Sequence, residues 1–93
     1  MQKFIELAGE QTIYQARETH SLLAALLLEA SSIQVELAGL SEADSSFLQN
    51  LLWLQSEGKR LSIDIMLLNA PVFLQNIVTQ LGLQDSIQFG GEK

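Results

Sequence analysis

The sequence predicts a small α/β domain in which strands and helices alternate along the chain. Two segments, 33–37 and 61–67, alternate apolar and polar residues with the period of two expected of half-buried strands. Three others repeat apolar residues every three to four positions, the spacing of an amphipathic helix. At 93 residues the chain has room for one domain, which we place over residues 1–93.

The N-terminal part predicts two short strands and a first helix. Residues 3–7 and 11–14 have strand composition, and the tight connection Ala8-Gly9-Glu10 between them predicts a hairpin. From Arg17 the spacing becomes helical and continues to about residues 31–32. The predicted apolar stripe of this helix consists of Thr19, Leu22, Leu23, Leu26, Leu27 and Ala30.

The strand 33–37 is followed by a predicted loop over residues 38–44 and a second helix over 45–57. Leu48, Leu51 and Leu52 form its apolar side, and Gly58 is placed as its C-terminal stop. After the strand 61–67, Pro71 suits the first turn of a third helix, because its missing N–H would be unpaired there anyway.

The stripe of the third helix consists of Leu74, Ile77, Val78 and Leu81. Gly82 ends this helix, and residues 86–89 predict a last short strand. The order β-β-α-β-α-β-α-β implies right-handed parallel crossovers, and the polar second face of the strands places the helices mainly on one face. Together with the hairpin, this predicts a mixed sheet of four to five strands.

Composition excludes several classes of partner and location. Five Lys and Arg against eleven Asp and Glu give a net charge of −6, so a nucleic-acid partner is not expected. The longest apolar run, 22–28, is too short to cross a bilayer, and the N-terminus lacks signal-peptide features. With no cysteine, we expect a cytoplasmic protein without a disulfide or thiolate metal site.

Residues capable of catalysis are present but not arranged for it. The single histidine, His20, lies one position off the stripe of the first helix, and we expect it to be exposed there. Neither G-x-S-x-G nor a nucleotide-binding glycine motif occurs, and Glu42 and Asp44 lie in a predicted solvated loop. We therefore expect no enzymatic activity, no cofactor and no metal.

The turn Asp44-Ser45-Ser46 at the start of the second helix has two interpretations. Asp44 or Ser45 caps the helix by accepting a hydrogen bond from a free N–H of its first turn, a common role for both residue types. Alternatively, Ser45 is a phosphorylation site, because the helix N-terminus tolerates a phosphate that changes the surface around it.

The only tryptophan, Trp53, lies on the same predicted helix. Ser46, Asn50, Trp53 and Glu57 recur on one stripe that is otherwise polar, so Trp53 is expected to face away from Leu48, Leu51 and Leu52. An outward tryptophan is either an anchor for a partner or a cover over the edge of the core.

The order and spacing of four segments resemble the STAS domain family over nearly the whole chain. These segments are Phe4 to Glu10, Val35 to Leu40, the Asp44-Ser45-Ser46 turn with its leucine-rich helix, and Leu81-Gly82-Leu83. The family includes anti-sigma-factor antagonists, the small subunit of the bacterial phospholipid-transport ABC system, and stand-alone members linked to chemotaxis genes. The resemblance implies a STAS-like fold and a protein-interaction module.

The resemblance also implies roles for individual residues. In the antagonists, the residue matching Ser45 is phosphorylated by a kinase that is also the anti-sigma factor, and Ser46 is the neighbouring candidate. The helix that starts there forms much of the partner surface. We expect Glu42, Asp44, Phe47, Asn50 and Trp53 to contact the partner.

Two functional hypotheses follow from the resemblance. The first is an antagonist that binds an ATPase-type anti-sigma kinase under control of Ser45 phosphorylation. The alternative is a constitutive subunit of a lipid-transport ABC complex, or a chemotaxis-linked protein, without phosphorylation. The chain departs from the family at Phe47, where a glycine is usual, and this aromatic either obstructs a kinase or is itself a contact.

Overall fold

The computed structural model describes residues 1–90, which contain five strands and three helices. Their sequence along the chain confirms the predicted α/β class and the alternation of strands and helices. The elements are β1 (Gln2–Glu6), β2 (Gly9–Gln11), α1 (Ala16–Leu27), β3 (Ser32–Glu36), β4 (Leu40–Ala43), α2 (Ser45–Leu61), β5 (Asp64–Leu68) and α3 (Val72–Gln80).

The central sheet has three parallel strands in the order β1-β3-β5. Phe4 lies beside Gln34 on β3, and Gln34 in turn lies beside Met66 on β5. The connection from β1 to β3 contains α1, and the connection from β3 to β5 contains α2. Both connections place the next strand on the same side of the previous one. Right-handed crossovers of this kind place α1 and α2 on one face of the sheet.

The same face of the sheet is the buried one. On β3 and β5, Ile33, Val35 and Leu67 are almost fully buried in one core with residues of all three helices. The helices contribute Leu23, Leu27, Leu48, Leu51, Leu54, Leu74 and Val78 to this core. The prediction that the helices lie mainly on one face is confirmed.

The predicted hairpin of the first two strands is wrong. β2 does not pair with β1 but lies parallel to β4 in a separate two-stranded sheet. Between the two sheets the Leu7 N–H donates to the Glu36 carbonyl at 3.0 Å, and the Gly9 N–H donates to the Gly39 carbonyl at 2.9 Å. The short connection thus continues in the same direction instead of reversing the chain.

The prediction of a loop over residues 38–44 is also wrong, because this segment contains the strand β4. Only Leu40 of this strand is buried, while Ser41 and Glu42 are exposed. A four-residue strand with one buried side chain has too little apolar alternation to be recognised from the sequence.

Helix α2 extends past the predicted stop at Gly58 to Leu61, and its left-handed C-cap is Ser62 at φ 59°. Gly58 is buried against β5, where a Cβ atom would lie 2.5 Å from Ile65 Cγ1 and 2.9 Å from the Ile63 carbonyl oxygen. The glycine is therefore required for close packing of helix on strand, not for ending the helix.

The C-terminal region forms less strand than predicted. Pro71 precedes α3 as its N-cap, and Gly82 follows it at φ 72°, in the left-handed region. Residues 86–89 do not form the expected strand, although Gly90 makes a parallel bridge with Leu68 and its N–H donates to the Leu67 carbonyl at 2.9 Å.

Candidate partner-docking site

Asp44 starts helix α2 and caps it. Its Oδ1 accepts hydrogen bonds from the Ser46 N–H at 2.9 Å and the Phe47 N–H at 3.4 Å, both in the first turn of the helix. Of the two residues predicted as possible caps, Asp44 and Ser45, the structure shows that Asp44 is the cap.

The same carboxylate also holds a loop from a distant part of the chain. Asp44 Oδ2 accepts a hydrogen bond from the Ile13 N–H at 3.0 Å, across 31 residues. Ile13 belongs to the turn between β2 and α1, in which Gln15 Oε1 accepts from the Thr12 N–H at 2.9 Å and the Thr12 hydroxyl at 2.8 Å. The two ends of the turn are thus bonded to each other, and Ile13 is bonded to the start of α2.

The 12–15 turn presents two large apolar side chains to solvent. Tyr14 is 90% exposed, more than any other large apolar side chain in residues 1–90, and Ile13 is 66% exposed. A rigid loop that holds such side chains in water is typical of a surface that binds another protein.

These two residues were missed because 11–14 was interpreted as strand. The signal was the spacing Thr12-x-x-Gln15, which matches a capping box in which a glutamine three residues on reaches back to the N–H of the capping residue. That pattern marks the approach to a helix, and α1 begins directly afterwards at Ala16.

Ser45, the candidate phosphoacceptor, is exposed as the first residue of α2, and Ser46 is half-buried. The hydrogen bonds of the Asp44 carboxylate go to three backbone amides, and none of them involves the Ser45 hydroxyl. We define the docking surface as Ile13, Tyr14, Glu42 and Ser45, which lie on the 12–15 turn, on β4 and at the start of α2.

Two residues predicted to contact a partner lie in the interior instead. Phe47 is 1% exposed and belongs to the core, so its side chain is not part of the docking surface. Asn50 is 7% exposed and joins the two helices: its Nδ2 donates to the Ala16 carbonyl at 3.1 Å, and its Oδ1 lies 3.1 Å from His20 Nδ1.

Trp53 is half-buried and packs on the edge of the core. Its other neighbour is His20, whose ring centroid lies 4.1 Å away at an interplanar angle of 41°. Of the two interpretations of this tryptophan, the position agrees with a cover over the edge of the core. His20 is exposed as predicted, yet Asn50 and Trp53 both hold its ring.

Glu57, which shares a helical stripe with Trp53, accepts two hydrogen bonds from Arg60, at 2.7 and 3.2 Å. The hydrogen bonds from the guanidinium lower the pKa of the Glu57 carboxyl. Glu42 differs in its surroundings: it is exposed on β4 beside Glu10 of β2, its partner in the strand register.

Within residues 1–90, no group of three or more His, Cys, Asp or Glu side chains is placed to hold a metal ion. In the same part of the chain, no helix has the length and apolar character needed to cross a membrane.

The fold resembles that of solved anti-sigma-factor antagonists. The unphosphorylated form of the antagonist SpoIIAA superimposes with a TM-score of 0.77 at 18% identity, covering 99% of this chain and 84% of that one. The phosphorylated form of the Bacillus cell fate determinant SpoIIAA gives 0.71 at 19% identity, covering 95% and 82%. At these identities the likeness is one of fold.

The sequence comparison identifies the family. No curated protein gives a significant match. Residues 2–88, however, match the family described as "Mlab, STAS domain". This match spans almost all of the chain and agrees with the structural resemblance. The chain is therefore a member of the STAS domain family.

Proposed function

We propose that this protein is an interaction module of the anti-sigma-factor-antagonist type, which binds an ATPase-type kinase through the docking surface. Tyr14 carries the proposal, because it is the most exposed large apolar side chain in residues 1–90 and lies on a turn that Asp44 fixes to the start of α2. Both SpoIIAA structures, named for an anti-sigma-factor antagonist, have this fold.

The chemistry of the surface favours binding over catalysis. Its polar members, Glu42 and Ser45, are exposed to solvent, unlike the enclosed groups of most catalytic sites. Tyrosine and isoleucine instead supply contact area, and a turn that is already ordered loses little entropy when a partner binds. We therefore propose a non-enzymatic protein that needs no cofactor and acts in the cytoplasm, as a single domain over residues 1–93.

Phosphorylation of Ser45 is the proposed control. Its hydroxyl is exposed at the positive end of the α2 dipole, where a phosphate is tolerated. The phosphate would add a charge of about −1.5 to −2 next to Asp44, whose carboxylate holds the 12–15 turn. Added charge within the docking surface would weaken binding of the partner.

Modification mapping tests this control directly. We expect a phosphate mass on Ser45, not on Ser46, in protein taken from cells under at least one growth condition. Ser45→Asp should release the kinase, whereas Ser45→Ala should retain it. A Ser45→Asp variant that keeps its partner in the same amount as Ser45→Ala would remove phosphorylation from the proposal without touching the docking surface.

A second function is a constitutive subunit of a lipid-transport ABC complex. The observation that favours it is the family description, which names Mlab. The burial of Phe47 in place of the usual glycine also fits a surface that has no need of kinase access. For this function Ser45→Asp should leave partner binding nearly unchanged, and purification should recover an ABC ATPase in place of a kinase.

A further inference from the structure

The face of the central sheet opposite the helices is uncovered in residues 1–90. Alternation along the strands puts every second residue on this face, and none of them is fully buried. The nine residues are Gln2, Phe4 and Glu6 of β1, Ser32, Gln34 and Glu36 of β3, and Asp64, Met66 and Leu68 of β5. We call them the open face.

Parallel sheets are rarely left uncovered. All-parallel sheets occur almost only with both faces packed, because their crossover connections usually place helices on both faces. Here the middle row of the open face runs Phe4, Gln34, Met66 across the three strands. Phe4 is 61% exposed and Met66 48% exposed, so two large apolar side chains flank the centre of an unpartnered sheet.

The dimensions of the open face match a single helix. Three strands place β1 about 10 Å from β5, and five residues extend about 17 Å along each strand. An α-helix has a diameter of about 10 to 12 Å, and about 11 of its residues cover that length. One helix of about three turns would cover both Phe4 and Met66.

Charge decides between the candidate occupants. The open face carries Glu6, Glu36 and Asp64, and none of its nine residues is a lysine or arginine. Two copies of this face would bring carboxylates together, and an anionic lipid surface would be repelled in the same way. A helix with basic residues along the edges of its apolar stripe meets opposite charges instead.

We infer that the open face binds an amphipathic helix of a partner polypeptide, with an apolar stripe over Phe4 and Met66 and basic flanks near Glu6 and Asp64. This surface is separate from the docking surface, which lies on the 12–15 turn, β4 and the start of α2. The protein would then bring two polypeptides together, one on each surface.

The test uses a synthetic 14-residue leucine and lysine peptide with one apolar helical face, and the same peptide with glutamate in place of lysine. Both are titrated into the isotopically labelled full chain and followed by amide chemical shifts. We expect the lysine peptide to bind and to shift amides of β1, β3 and β5. Shifts confined to the 12–15 turn and α2, or equal binding of the glutamate peptide, would overturn the inference.

Apolar substitutions locate the contact. Phe4→Ser with Met66→Ser should weaken lysine-peptide binding by about tenfold or more, as expected when central apolar contacts are lost. The matched control is Leu28→Ser with Val72→Ser, which removes two other apolar side chains that are 88% and 71% exposed. This control should change the affinity by less than about twofold. Equal losses in the two pairs would contradict a site on the open face.

Charge substitutions provide a second pair that keeps the apolar surface intact. Glu6→Gln with Asp64→Asn should weaken binding and flatten its dependence on salt. Glu10→Gln with Glu42→Gln changes net charge equally on the other sheet and should have a smaller effect. If both pairs act equally, the peptide is attracted only by the net charge of −6. If sedimentation shows a dimer that Phe4→Ser dissociates, a second copy occupies the face instead.

Discussion

Asp44 and Ile13 are joined by a hydrogen bond of 3.0 Å between a carboxylate oxygen and a backbone N–H, although 31 residues separate them in the sequence. The other oxygen of the same carboxylate caps helix α2 at the Ser46 N–H. One side chain therefore fixes the relative positions of an exposed apolar turn and the helix that carries the candidate phosphoacceptor Ser45. This connection makes the two segments a single surface.

Replacing Asp44 should weaken both segments. We expect Asp44→Ala to lower the free energy of unfolding by about 1 to 2 kcal/mol, since a helix cap is lost. The Ile13 amide should also exchange faster with solvent deuterium, because its acceptor is gone. Urea unfolding and amide exchange measure the two effects.

Asp44→Asn separates the effect on helix capping from the effect on the 12–15 turn. An asparagine retains one oxygen that can accept from the Ser46 N–H, but its amide nitrogen cannot accept from the Ile13 N–H. The variant should therefore keep most of its stability while the Ile13 amide loses protection. Unchanged Ile13 exchange in both variants would show that the carboxylate does not hold the turn.

Gly58→Ala should destabilise the protein although alanine is the better helix former. The helix propensity favours alanine by about 1 kcal/mol. Against it, the new Cβ would lie 2.5 Å from Ile65 Cγ1, and overpacking of this kind costs about 1 to 3 kcal/mol. Thermal unfolding checks this, with Ser56→Ala on the exposed side of the same helix as the control. A melting temperature equal to that of the control variant would mean that β5 moves aside freely.

Phe47→Ala should lower the free energy of unfolding by about 3 to 5 kcal/mol, the usual cost of truncating a buried phenylalanine. Phe47→Leu, which keeps most of the volume, should cost less than about 1.5 kcal/mol. Urea unfolding distinguishes these values. A stable Phe47→Ala protein with impaired partner binding would restore Phe47 to the set of contact residues and contradict its place in the core.

The contact between His20 and Trp53 should be visible in fluorescence. The centroid of the imidazole ring lies 4.1 Å from that of the indole ring, at an interplanar angle of 41°. His20→Ala should therefore shift the Trp53 emission maximum to longer wavelength, because the uncovered indole meets more water. An unchanged emission spectrum in this variant would show that the imidazole does not cover the indole.

Elements with a repeated apolar pattern could be predicted from the sequence. The three helices and the strands β3 and β5 carry several buried residues at fixed spacing, such as Ile33 and Val35, and each was found near its expected place. β4 buries only Leu40, and therefore lacks the apolar alternation by which a strand is predicted from the sequence. Gly58 shows a second limit, since a glycine required for close packing has the same sequence signal as a glycine that ends a helix.

The candidate site was predictable only in part. Local chemistry narrowed the helix cap to Asp44 or Ser45, because a cap lies within a few residues of the amide that it binds, and the structure assigns it to Asp44. The Asp44 to Ile13 bond joins distant segments and depends on the parallel pairing of β2 with β4, which the predicted hairpin excluded. Asn50 was assigned to the surface, because helical spacing alone does not reveal that α1 packs over that side of α2. Phe47 was assigned as a contact from its departure from the family pattern, which does not reveal that its side chain lies in the core.

We propose that the 12–15 turn and the start of α2 contact a kinase-type partner. A photo-crosslinking amino acid placed at Tyr14 tests it in cells that naturally make the protein, with the same probe at Leu28 as control, since the two side chains are 90% and 88% exposed. We expect position 14, but not position 28, to form a crosslink to an ATPase-type kinase. A crosslink to that kinase from position 28 with none from position 14 would contradict it.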